Sequence, residues 1–115
     1  MATKAQVRDR AAADLGILRL NQSLQSQDTT RIEAAYDEVY AQLKKDGLAV
    51  WASTAAVPDE ITPHMAALVA DNCLGTYGVS PERFQRIKSA SLGAKREIRA
   101  LVAPDYVSQD EATDY

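Results

Sequence analysis

Residues 30–47, TRIEAAYDEVYAQLKKDG, decide the fold class. Ile32, Tyr36, Val39 and Leu43 recur at the three- and four-residue spacing of one helical face, and Ala35 and Tyr40 widen it. Thr30 and Glu33 have the spacing of a capping box, which predicts that the helix begins there. Lys44 and Lys45 suit the negative end of the helix dipole. Gly47 is placed for a left-handed C-terminal cap.

The same spacing extends to both sides. Upstream, Thr3 is an expected N-cap for a helix over about residues 3–15, carrying Val7, Ala11 and Leu15 and stopped by Gly16. The Ser- and Gln-rich residues 21–28 read as a loop. Downstream, residues 48–57 form a short apolar connector, too alanine-rich for a strand, with Trp51 expected to plug the core or an interface. A third helix is expected from about Pro58 or Pro63 to Tyr77, with Thr62-Pro63 as an N-cap followed by a first-position proline, Ile61, Met65, Leu68 and Val69 inward, and Ala66, Ala67 and Ala70 allowing close approach. Ser80-Pro81 opens a fourth helix. Its residues Phe84, Ile87, Ser91, Ala94, Ile98 and Leu101 alternate steps of three and four, a stripe suited to lengthwise packing. Pro104 stops it. The expected fold is all-α: a small bundle of about four helices over residues 1–102, and an extended C-terminal arm over residues 103–115.

The totals restrict function. At 115 residues there is room for one core. A net charge of −3 gives no overall attraction to nucleic acid or anionic membrane. No apolar run approaches the roughly 18 residues of a membrane span, and residues 1–10 lack the apolar centre of a signal peptide, so a cytoplasmic origin is expected. The lone Cys73 excludes an internal disulfide. His64 is the only histidine, and its nine-residue separation from Cys73 turns the two to opposite faces of one helix. No catalytic, cofactor-binding or metal-ligating set emerges, so the chain is expected not to be an enzyme and to need no cofactor.

Two charged segments remain. In the fourth helix, Arg83, Arg86, Lys88, Lys95, Arg96 and Arg99 face only Glu82 and Glu97. They can cover the edge of the core with their long stems, or contact a neighbouring subunit, an acidic partner or DNA phosphates. The arm carries Asp105, Asp110, Glu111 and Asp114 without a single Lys or Arg, together with Tyr106, Val107 and Tyr115. It reads as an extended or disordered segment that docks on a partner through its tyrosines. A basic helix and an acidic arm supply the two unlike patches of a head-to-tail interface.

The order of elements resembles a known family. Asp14-Leu15-Gly16-Ile17-Leu18 closes an alanine-rich first helix, and Leu43-Lys44-Lys45-Asp46-Gly47-Leu48-Ala49-Val50-Trp51 closes the second. Val57-Pro58 leads into an Ala/Leu/Val helix ending near Tyr77-Gly78, and the arm ends Asp114-Tyr115. This resembles the head-to-tail connector adaptors, or head completion proteins, of tailed bacteriophages. The resemblance implies a virion protein, built in the host cytoplasm, that forms a ring of about twelve copies under the portal protein. That ring extends the DNA channel, permits non-specific contact with channel DNA, and offers a platform to a tail or nozzle protein. It implies that the arm residues Asp105, Tyr106, Val107, Asp110, Glu111, Asp114 and Tyr115 bind the portal or a neighbouring subunit. The six basic residues of the fourth helix become candidates for inter-subunit or channel contacts. The alternative from the residues themselves is a small DNA-binding or regulatory module using that helix.

Overall fold

The computed structural model describes residues 2–18, 23–49, 51 and 56–102. Among them are four helices, α1 (Lys4–Leu15), α2 (Ser26–Lys45), α3 (Thr62–Asn72) and α4 (Pro81–Val102), and no strand. The fold is all-α, as the spacing predicts. The β-type pairing seen among the described residues is an isolated antiparallel bridge, in which Ala2 and Val57 exchange N–H···O bonds of 3.0 and 2.6 Å.

Local chemistry sets most helix ends. Thr3 Oγ1 accepts from the Gln6 N–H at 3.1 Å while Gln6 Oε1 accepts from the Thr3 N–H at 2.8 Å, a reciprocal capping box. Gly16 stops α1 at φ 82°, and Gly47 lies just past α2 at φ 77°. At both ends the glycine N–H and the next N–H turn back onto late helical carbonyls: Gly16 to Ala13, Ile17 to Ala12, Gly47 to Lys44, Leu48 to Leu43. Ser80 Oγ accepts from the Arg83 N–H at 3.2 Å, and Pro81 opens α4 as expected.

Three expected boundaries are corrected by contacts distant in sequence. Thr30 does not cap α2, which begins at Ser26 and takes Thr30 into its interior. Long-range contacts hold this end of the helix instead. Glu33 accepts from Arg8 of α1 at 3.3 Å, and Asp28 in the first turn accepts from the Tyr77 hydroxyl at 2.9 Å. Arg31 lies over the Tyr77 ring at 5.9 Å, so the extra turn is held by the α3–α4 connection. The expected loop over residues 21–28 is correspondingly shorter; residues 19–22 lie outside the described residues. Thr62 is the first residue of α3 rather than its cap, its hydroxyl donating back to the Pro58 carbonyl at 2.9 Å. α3 ends at Asn72, five residues before the expected Tyr77. Beyond it, tight turns take over, Leu74 N–H to Asp71 O and Thr76 N–H to Cys73 O, across a stretch weakened by Gly75.

α1 and α3 form the inner pair, each packing on the other and on both outer helices. α2 and α4 flank them and do not pack on each other among the described residues. Ala11 and Ala12 of α1 and Ala66, Ala67 and Ala70 of α3 are buried, and these small side chains permit the close inner packing. Trp51 fills the core as expected: the Tyr40 hydroxyl donates to its carbonyl at 2.7 Å, and the two rings meet edge-on at 5.9 Å.

The α4 stripe is buried at its centre, through Ile87, Ala94 and Ile98, but Phe84 (39% exposed) and Leu101 (40% exposed) stand open at its ends. Length explains this. The 22 residues of α4 span about 33 Å, whereas the 11 of α3 cover about half of that.

Candidate partner-binding face on the fourth helix

The large apolar side chain most open to solvent among the described residues is Leu92, 82% exposed, in the middle of α4. Lys88 precedes it by four residues, Lys95 and Arg96 follow by three and four, and Arg99 by seven. At helical spacing these are its neighbours on one face. The face is turned away from the buried stripe, so Leu92 contributes nothing to the core.

The six expected site cations divide. Arg83 reaches back to α1, where its guanidinium donates to the Ala13 and Asp14 carbonyls at 3.4 and 3.0 Å. It gives the Asp14 carbonyl at the helix C-terminus a donor and adds a second one to the Ala13 carbonyl, which already accepts from the Gly16 N–H. Lys88 pairs with Asp71 of α3 at 2.8 Å and lies over the Phe84 ring at 5.9 Å. Ser91 donates to the same carboxylate at 2.9 Å. Lys95 pairs with Asp46 at the end of α2, tying the two flanking helices together. That hydrogen bond, with Arg99 adding its charge, holds the Asp46 carboxyl below the usual aspartate range.

Arg86, Arg96 and Arg99 are exposed, and no salt bridge among the described residues uses them. Arg96 and Arg99 share the outer face with Leu92. Arg86 lies on the opposite flank, above a cavity of about 110 Å³ lined also by Asp14, Ala67, Ala70 and Ile87. Partial burial pushes the Asp14 carboxyl up, against the pull of Arg10, Arg86 and Arg83. The structure therefore does not gather all six cations into one surface. A shallow groove of about 320 Å³ runs between α2 and α3, lined by Val39, Leu43, Leu68 and Asp71, with Lys95 at its edge.

The sequence reading missed Leu92 because it lies off the three-four stripe. The signal was available: a leucine at helical spacing from four cations, on the side opposite the stripe. The expected arm residues Asp105, Tyr106, Val107, Asp110, Glu111, Asp114 and Tyr115 lie outside the described residues.

Elsewhere, Cys73 is buried, and burial with nearby Glu38 pushes its thiol up to about 11. At neutral pH it is a thiol packed as a small hydrophobe, not a nucleophile. His64 is half-buried in the first turn of α3. No group of three or more His, Cys, Asp or Glu is disposed to hold a metal among the described residues. No helix among the described residues is long and apolar enough to cross a membrane. Compared with known protein families, with curated proteins and with solved structures, the chain matches none.

Proposed function

We propose that the chain is a structural adaptor of a tailed phage. It assembles as a ring under the portal protein, extends the DNA channel and gives a tail or nozzle protein its docking platform. The observation that carries the proposal is the exposed Leu92 among Lys88, Lys95, Arg96 and Arg99, on a helix whose core contacts are made by Ile87, Ala94 and Ile98 on the other side. An apolar centre ringed by long polar side chains has the anatomy of a protein-binding surface. The acidic arm supplies a second, unlike patch, as a head-to-tail ring requires. The order of elements along the chain adds the family resemblance.

The competing DNA-binding reading draws less support. Arg83 and Lys88 spend their charge inside the molecule, Lys95 is paired with Asp46, and Arg86 points away from Arg96 and Arg99. The test is co-sedimentation of the full chain with the portal ring of the same phage, imaged by electron microscopy. Saturable binding as a collar on one end of the portal is the expected result. Absence of portal binding, with salt-sensitive binding to DNA, overturns the adaptor and puts Arg96 and Arg99 on phosphates.

A further inference from the structure

We infer that the outer face of α4 is a docking site for an acidic segment with an aromatic or aliphatic anchor, and that its occupant in the free chain is residues 105–115 of the same molecule. The inference rests on reading that face as a binding surface.

Charge complementarity is the first argument. Residues 103–115 hold four carboxylates and no Lys or Arg, whereas residues 1–102 hold thirteen basic against twelve acidic side chains. Of the basic excess, Arg96 and Arg99 sit beside Leu92, exposed and engaged in no salt bridge among the described residues. Leu92 offers the apolar contact that a charge-only surface lacks. Tyr106 and Val107 carry the matching apolar groups, and a tyrosine ring also accepts the Arg99 guanidinium on its face.

Reach is the second. From Val102 back to Leu92 is ten helical residues, about 15 Å. An extended chain gains about 3.3 Å per residue, so five residues beyond Val102 already cover that distance. Proline at position 104 disfavours continuing α4 beyond Val102.

Concentration decides between the molecule's own segment and that of a second copy. A short tether gives an effective concentration in the millimolar range, about a thousandfold above a micromolar solution of chains. In the free chain the segment covers Leu92. A neighbour or portal subunit then has to displace it.

The test uses the full chain with Gln109→Cys carrying a nitroxide spin label. Cys73 stays unlabelled because it is buried and protonated. The amide resonances of Leu92, Lys95 and Arg96 are expected to lose most of their intensity, to the same extent on dilution. The loss shrinks in about 1 M salt, where the screening length falls to about 3 Å, and in a Leu92→Ser background, a surface change that leaves the core intact. Unchanged resonances overturn the inference. So does intensity loss that appears only when spin-labelled chains are mixed with separate isotope-labelled chains, which assigns the site to a second copy. Portal co-sedimentation of the unmodified chain separates the two readings. Portal binding without intramolecular broadening removes this inference alone, and broadening without portal binding removes the adaptor alone.

Discussion

At Gly16 two constraints coincide. Its φ of 82° is a conformation that side chains resist, and a Cβ there would stand 3.0 Å from the Arg83 guanidinium carbon. Gly47 has the first constraint without the second, since nothing lies within 4 Å of its would-be Cβ. Gly16→Ala is therefore expected to cost more than Gly47→Ala, which should lose about 1–2 kcal/mol from backbone strain alone. Urea unfolding of the two variants checks the order, and equal losses would mean that Arg83 yields freely. Charge adds a pH signature at the same scale. The lowered Asp46 carboxyl contributes stability above the unfolded value of about 3.9, and that contribution is lost as pH falls through its folded value. Asp46→Asn should thus lower the unfolding midpoint at pH 6, with the difference fading as acid protonates the folded-state carboxyl. The raised Asp14 carboxyl has the opposite sign: its charge disfavours the fold at neutral pH, and protonation relieves it. Asp14→Asn should raise the midpoint at pH 7, with the gain fading in acid. Among buried bonds, Tyr40→Phe leaves the Trp51 carbonyl without its 2.7 Å donor and is expected to cost about 1–3 kcal/mol by the same measurement.

For an element, the informative contrast lies at the start of α2. Thr30→Ala should change stability by no more than about 0.5 kcal/mol, because Thr30 is an exposed interior position. Asp28→Ala removes the Tyr77 bond and a favourable first-turn charge, so a loss of about 1–2 kcal/mol is expected. If Thr30→Ala proves the costlier, α2 starts where the local sequence places it. The contrast also marks how far the chain could be read unaided. Thr3, Gly16, Gly47 and Ser80-Pro81 were legible because each acts on residues within five positions of itself. The start of α2 and the end of α3 were not, because Tyr77 reaches Asp28 across 49 positions. The same holds for the candidate face. Six cations on α4 were visible as charge. That Arg83 caps α1, and that Lys88 and Lys95 answer Asp71 and Asp46, depends on helices brought together by the fold. Leu92 needed knowledge of which face the core had already taken.

Across the whole molecule, the four helices and the core are built from described residues between Ala2 and Val102. Removing residues 103–115 is expected to leave the far-ultraviolet circular dichroism per helical residue unchanged while weakening partner binding. Loss of the helical signal would make the segment part of the core. The flanking helices α2 and α4 meet through the Lys95–Asp46 pair rather than through packed faces, with the α2–α3 groove beside it. Such a pair is screened by salt, so the separation of α2 and α4 is the dimension of the molecule most open to adjustment when a neighbour binds.

Cys73 makes the protein its own gauge. It is the sole thiol in the chain, and the fold both hides it and keeps it protonated. A maleimide can react only during the moments when the bundle is open. When reclosing outruns alkylation, the reaction rate is proportional to the open population, and each 1.4 kcal/mol of lost stability speeds it about tenfold. Timed alkylation in plain buffer would therefore rank Gly16→Ala, Asp28→Ala and Tyr40→Phe without denaturant. It would also register, as a slowing, the arrival of any partner that clamps the helices shut.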